Sequence, residues 1–270
     1  KVRDASGNLL TTGDAEGNTL RITGGTVAAA YGANVTVKDG AAQDNAAEIS
    51  GGTVTGNVYG GALTAVGATK NATGNQARVT GGSVGGNVYG GAITDATASG
   101  DVTGSSVHVA GGTVSGTVYG GHNAGTGTAT GGTVTITGGH MGAVYGGYTA
   151  GTGKTTGNTV EFHGGTVTGT IYGGSNATDV TDNTLDVKGV RTAGNIKNFE
   201  KLHFDTSMTN AGETILTLNG GARTVGLDWH GLDVKNLTEE RLQTLTSPVR
   251  EELFSLMAND QGLDFGTTYD

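Results

Sequence analysis

The chain has 270 residues, a formal net charge of −9, and only 34% hydrophobic and 5% aromatic residues, so a conventional globular core would be thin. It has no cysteine and no basic stripe, which excludes disulfides and thiolate metal sites and argues against a nucleic-acid partner. Its 53 glycines stand in register with Val, Ile and Tyr, and this register indicates an ordered structure rather than a low-complexity segment.

Residues 1–16 carry a weak strand signal, and the first clear unit begins at Gly17. Leu20 and Ile22 alternate with Arg21 and Thr23, which predicts a half-buried strand. A Gly-Gly corner, a second short strand and a Tyr-Gly-Gly exit complete the unit. A helix is excluded here, because each glycine would destabilise it by about 0.8 to 1 kcal/mol relative to alanine.

The second half of this unit recurs along the chain. Its copies are Gly24–Gly32, Gly51–Gly61, Gly81–Gly91, Gly111–Gly121, Gly138–Gly147 and Gly164–Gly174, and their leading glycine pairs lie 27, 30, 30, 27 and 26 residues apart. A period in this range is typical of repeat proteins, in which each unit buries its apolar face against its neighbours. The sequence therefore predicts an all-β fold, a parallel β-helix (β-solenoid) of about six to seven rungs of 25–30 residues.

Two side-chain ladders follow from coiling these repeats, because equivalent residues of successive rungs lie about 4.8 Å apart. The aromatic ladder contains Tyr31, Tyr59, Tyr89, Tyr119, Tyr145 and Tyr172. The amide ladder contains Asn18, Asn45, Asn75, Asn158 and Asn183. Since the residue before each tyrosine is apolar, either one could face the core. We interpret both ladders as structural, and a carbohydrate-stacking role for the tyrosines is the alternative.

The segments after Tyr-Gly-Gly, such as Ala62–Ala72 and Ala92–Thr103, vary in length and composition. We expect this variation to leave the core unchanged, and such loops are where repeat proteins usually vary for function.

After Gly189 the glycine content falls and the Tyr-Gly-Gly half disappears. We therefore divide the chain into solenoid repeats at 1–189 and a region of terminal strands and a helical cap at 190–270. Strands are predicted at Leu202–Phe204 and Thr214–Leu218. Cap helices are predicted around Thr238 and after Ser247-Pro248, from their N-terminal capping patterns, and the second helix has an apolar face of Val249, Leu253, Phe254 and Met257.

Catalytic, cofactor and metal residues are not predicted. The histidines (His108, His122, His140, His163, His203 and His230) lack a metal-ligand spacing such as His-x-x-x-His, and His108 and His163 should point outward into solvent. Ser105 and Ser106 have no nearby residue in the sequence that could act as a general base.

Asp179, Asp182 and Asp186 form the densest acidic cluster of the repeats. They leave open a hydrolytic carboxylate pair or a calcium site, although Asp182 precedes a ladder asparagine as Asp44 does, which favours a structural role.

The repeats from Gly17 to Gly189, continued by the segment Gly194–Phe204 with its Asn198-Phe199-Glu200 run, resemble the passenger of a bacterial autotransporter (type V secretion). The resemblance implies a right-handed solenoid exposed at the bacterial cell surface, either attached to the outer membrane or released. A signal peptide and the outer-membrane barrel of that family are not found in this sequence. We therefore expect a fragment or processed form, whose membrane attachment would need a barrel that this chain lacks. The Gly-Asp-Ser-Gly motif of protease passengers is absent.

These features predict a non-enzymatic, adhesin-like passenger domain, a stiff stalk or binding module whose partner is a host or bacterial surface glycan or protein. Repeated weak contacts would add through multivalency. One alternative is a filament-forming surface protein, assembled end to end through the exposed edge of a rung near Gly17. The other is a polysaccharide lyase or hydrolase, which would require carboxylates that converge on one groove.

Overall fold

The computed structural model describes residues 13–175, 181–210, 213–221, 225–235 and 254–259. These residues form an all-β parallel solenoid of about eight turns, which confirms the predicted fold class. The turns outnumber the expected six to seven because strands after residue 189 also join the coil.

The first three turns each contain four short strands. These are β1 (Ala15–Glu16), β2 (Thr19–Ile22), β3 (Thr26–Val27) and β4 (Ala30–Val35); β5 (Ala42–Gln43), β6 (Ala46–Ile49), β7 (Thr53–Val54) and β8 (Val58–Leu63); and β9 (Ala72–Thr73), β10 (Gln76–Val79), β11 (Ser83–Val84) and β12 (Val88–Ile93).

In later turns the short strands merge into longer ones. These are β13 (Val102–Thr103), β14 (Ser106–Val114) and β15 (Val118–Asn123); β16 (Ala129–Thr130), β17 (Thr133–Met141) and β18 (Val144–Thr149); β19 (Thr159–Phe162) and β20 (Thr166–Tyr172); and β21 (Thr184–Lys188), β22 (Arg191–Asp205), β23 (Glu213–Leu218), β24 (Val225–Lys235) and β25 (Phe254–Asn259). A 3-10 turn at Thr206–Met208 interrupts the last group.

The strands pair in parallel with equivalent strands of neighbouring turns. For example, β10 pairs with β6 on one side and β14 on the other, and β12 pairs with β8 and β15. Strand β22 pairs with β20, β21, β23 and β24. The parallel pairing therefore crosses residue 190, where the composition changes, without a break.

The main core is a column of aliphatic and aromatic side chains that each turn contributes at the same positions. Ile49, Val79, Val109, Ile136 and Phe162 stand in register and are at most 1% exposed. In each turn these residues alternate with outward-facing polar ones, as expected for a strand with one buried face.

A second, smaller core lies under the segments after Tyr-Gly-Gly. Leu63, Ile93 and Ala68 are fully buried in it, so the expectation that these segments leave the core unchanged is wrong. The register partners of Ile93 in the next turns are Asn123 and Thr149. The second core therefore becomes polar in the later turns. The segment that covers it also becomes shorter, from residues 64–71 between β8 and β9 to residues 124–128 between β15 and β16.

The prediction of a helical cap is also wrong for residues 254–259, the part of the predicted helices that the structure describes. Phe254 and Met257, predicted on one helix face, lie in strand β25, which pairs in parallel with β23. The edge of β23 offers unpaired backbone groups, and pairing with them outweighs a weak helical preference. Residues 236–253, which include the other predicted helix and Ser247-Pro248, lie outside the described residues.

Candidate functional site

The six tyrosines of the aromatic ladder lie outside the main core, because Val58 and its equivalents point inward. Successive ring centroids are 4.6, 4.7, 5.0, 5.3 and 4.2 Å apart, and the planes differ by 14° or less. Tyr59 and Tyr89 are only 7% and 8% exposed, and they cluster with Ala62 and Ala92, which are fully buried. The rings therefore lie against the outer surface of the strands and cover it.

This stacking bears on the carbohydrate alternative. A sugar ring stacks on the face of an aromatic ring, but both faces of each internal tyrosine are already in contact with the neighbouring tyrosines. Only ring edges and hydroxyl groups remain on the outside. The geometry thus favours the structural interpretation of the ladder.

Two asparagines that the sequence analysis missed fix the tyrosine hydroxyls. Asn57 Nδ2 donates a hydrogen bond to Tyr59 Oη at 2.9 Å, and Asn87 Nδ2 donates to Tyr89 Oη at 2.8 Å. Asn57 Oδ1 also accepts from the backbone N–H of Asn87 in the next turn at 2.8 Å. Burial raises the pKa of Tyr59 and of Tyr89. The signal in the sequence was an asparagine two residues before tyrosine in two consecutive repeats.

His122, for which the sequence predicted only the absence of a metal-ligand spacing, packs among the tyrosines. It takes the position of Ala92 one turn later and stacks on Tyr148 with ring centroids 5.0 Å apart. Its ring edge meets Tyr119 at 5.0 Å. Burial lowers the pKa of His122 to about 4, so this side chain is neutral in the folded protein at neutral pH.

The amide ladder runs between the two cores. Asn45 donates from its backbone N and from Nδ2 to Asn75 Oδ1, at 3.1 and 3.0 Å, and Asn75 Nδ2 donates to the carbonyl of Ala42 at 2.8 Å. A Cβ at Gly61 would lie 2.1 Å from Asn75 Oδ1. The second glycine of Tyr-Gly-Gly therefore makes room for the amide. Ser105 and Gly132 occupy the ladder position in the two turns between Asn75 and Asn158.

Asp182 occupies a backbone corner that glycine fills in most turns. Its φ is 58° and that of Asp44 is 52°. The equivalent glycines, all with positive φ, are Gly17, Gly74, Gly104, Gly131 and Gly157. Aspartate adopts this left-handed conformation more readily than most residues. Its carboxylate pairs with Lys201 Nζ at 2.7 Å, while Asp179 lies outside the described residues.

Asp186 is surrounded by cationic and titratable groups from other turns. Its Oδ1 lies 3.2 Å from His163 Nε2, and its Oδ2 lies 2.9 Å from Lys235 Nζ and 3.9 Å from His203 Nδ1. Burial and then Lys235 lower the pKa of His203. Asp182 and Asp186 therefore have separate partners. Among the described residues, no group of three or more His, Asp or Glu side chains is arranged to hold a metal ion.

No protein-family model, curated protein or solved structure matches this chain. Within the described ranges, no helix has the length and apolar character needed to span a bilayer.

Proposed function

We propose that this chain is a non-enzymatic, adhesin-like passenger domain of the bacterial autotransporter type, acting at the cell surface as a stiff stalk and binding module. The observation that carries the proposal is the register of the two ladders. Tyrosine stacks on tyrosine through six successive turns, and the amides join turns on the inner side.

Such ladders favour stiffness because each turn is fixed to the next by side chains as well as by the parallel backbone pairing. Outward-facing side chains then form straight columns, one residue per turn, about 4.8 Å apart. A column of this kind presents several copies of one weak contact to a polymer or a crowded surface. Multivalency converts those weak contacts into firm attachment.

The partners of the acidic side chains also favour binding over hydrolysis. Asp182 is engaged by Lys201, and the two oxygens of Asp186 are engaged by His163 and Lys235. A glycosidase needs two carboxylates on opposite sides of one scissile bond. In this protein each of the two carboxylates instead forms ion pairs with side chains of other turns of the coil.

The test is binding of the purified chain to an array of glycans and matrix proteins, with cleavage products measured on the same samples. We expect saturable binding to at least one class of surface molecule and no released oligosaccharide. Release of oligosaccharides that is lost in D186N would contradict the proposal and indicate an enzyme. The absence of binding to any glycan or protein would also contradict it.

A further inference from the structure

A pocket of about 170 Å³ lies on the outer face of strands β2, β6 and β10. Its charged lining residues are Arg21, Glu48 and Arg78, which stand in register on three successive turns. A parallel row of hydroxyl side chains, Thr23, Ser50 and Thr80, forms its other edge. Since Arg21 and Arg78 are 57 residues apart in the chain, two turns of the solenoid are needed to bring them to one site.

The charge of this pocket is unusual among the strands of residues 13–175. Arg21 and Arg78 are the only arginines in residues 13–175, and the lysines of that range, Lys38, Lys70 and Lys154, lie outside the strands. Arg21 Nε pairs with Glu48 Oε2 at 3.1 Å, so these two side chains neutralise each other. Arg78 forms no ion pair with a carboxylate of the described residues, and it gives the pocket a net positive charge.

Arg78 is held in place by hydrogen bonds to neutral side chains. Its Nη1 donates to His108 Nδ1 at 2.8 Å, and His108 Nε2 lies 3.1 Å from Thr137 Oγ1. Because arginine has only donors, His108 accepts at Nδ1 and carries its proton on Nε2. Burial, followed by the charge of Arg78, lowers the pKa of His108, which is consistent with a neutral ring. The guanidinium is thus oriented without being neutralised.

The position of the pocket limits what chemistry can enter it. It lies on a sheet face, where the backbone groups of β6 already pair with β2 and β10. An extended peptide is usually recognised by pairing with a free strand edge, whereas the centre of this pocket lies over β6, which is paired on both sides. A guanidinium, a carboxylate and three aligned hydroxyls remain, and they match a carboxylate surrounded by hydroxyl groups.

We propose that this pocket binds a carboxylate-bearing sugar residue of a glycan. Arg78 takes the sugar carboxylate as a bidentate partner, as arginine commonly does. Glu48 and the row of hydroxyls hydrogen-bond the hydroxyl groups of the sugar. This inference rests on the proposed adhesin function and names the class of ligand and the site.

The experiment is calorimetric titration of the full chain with a defined oligogalacturonate, compared with the same oligosaccharide after methyl esterification. We expect saturable binding to the acid and about tenfold or greater weakening on esterification. The variant R78Q should weaken binding of the acid by a similar factor. R78K, which keeps the charge but loses the planar fork, should fall between R78Q and the native chain. K70Q, which removes one cation outside the pocket, is the matched control and should bind as the native chain does.

The possible failures are distinguishable. Binding of the acidic oligosaccharide that R78Q leaves unchanged overturns this site but not the adhesin function. Equal affinity for the acid and its ester, or preference for an acidic peptide of the same charge, overturns the proposed ligand chemistry. If the native chain binds no glycan or protein on the array, both proposals are overturned. Circular dichroism of R78Q and K70Q establishes that each variant keeps the native strand content.

Discussion

At the scale of single residues, glycine meets two different demands at the Gly-Gly corners. Gly25 and Gly52 occupy equivalent corners with φ of 76° and 77°. A Cβ on Gly25 would have no atom within 4 Å, whereas a Cβ on Gly52 would lie 2.6 Å from the carbonyl carbon of Gly24 and the oxygen of Gly25. The first position needs only the left-handed conformation, and the second also needs space for the turn packed against it.

We therefore expect G52A to be considerably more destabilising than G25A. Alanine in the left-handed region costs about 1–2 kcal/mol at either corner. At Gly52 the backbone contact should add about 2 kcal/mol or more, because a well-packed backbone yields little. Chemical denaturation of the two variants measures the difference in free energy of unfolding. Equal losses would show that neighbouring turns separate easily at this corner.

At the scale of one element, the aromatic ladder allows the contribution of ring stacking to stability to be measured apart from that of hydrogen bonding. Tyr89 has a stacked tyrosine on both sides, at 4.7 and 5.0 Å, whereas Tyr31 has only Tyr59 among the described residues, at 4.6 Å. Tyr89 also accepts one hydrogen bond from Asn87. The ladder therefore contains a matched internal position and end position.

The expected order of destabilisation is Y89A, then Y31A, then Y89F. Y89A removes two stacked contacts and uncovers Ala92, and we expect a loss of about 3–5 kcal/mol, as for other buried aromatic residues. Y31A should cost about half as much. Y89F keeps the ring and loses one hydrogen bond, at about 1 kcal/mol. Thermal and urea unfolding give the three values, and a Y89F loss as large as that of Y89A would assign the stability to the hydroxyl instead.

At the scale of the whole molecule, we expect histidines on different turns to make the solenoid less stable in acid. Burial is the main cause that lowers the pKa of His108, His122 and His203. The unfolded chain, in which histidine titrates near pH 6.5, then binds more protons than the folded chain. The free energy of unfolding should fall as the pH decreases from about 6.5.

His122 allows this effect to be isolated. Its folded pKa of about 4 places its contribution between pH 6.5 and 4, with a total loss of up to about 3 kcal/mol. H122A is the natural control, since Ala62 and Ala92 hold this position in the preceding turns. Urea unfolding at pH 7 and pH 4.5 should show a smaller pH dependence in H122A than in the native chain. An identical dependence would remove His122 as a contributor.

The repeats predicted much of the fold because identical spacing places identical residues at the same point of each turn. Asn45 and Asn75 stand in one column for this reason, as do Tyr59 and Tyr89. The second core was not predicted, because Ala65 and Ala68 have small side chains that bury little apolar surface and give a weak hydrophobic signal in the sequence. The prediction of a terminal helix was wrong, because the apolar spacing of Phe254 and Met257 carries no information about the free edge of β23, with which these residues pair.

The sequence by itself determined the parallel solenoid, the period of its turns and the membership of the two ladders, since these depend on local alternation and on repetition. The tertiary structure decided which side of each turn the tyrosines cover, that the carboxylates Asp182 and Asp186 have separate cationic partners, and that Arg21 and Arg78 line one pocket. Those features depend on the direction in which each side chain leaves the strand and on contacts between residues one or two turns apart. Such contacts exist only after the chain has coiled.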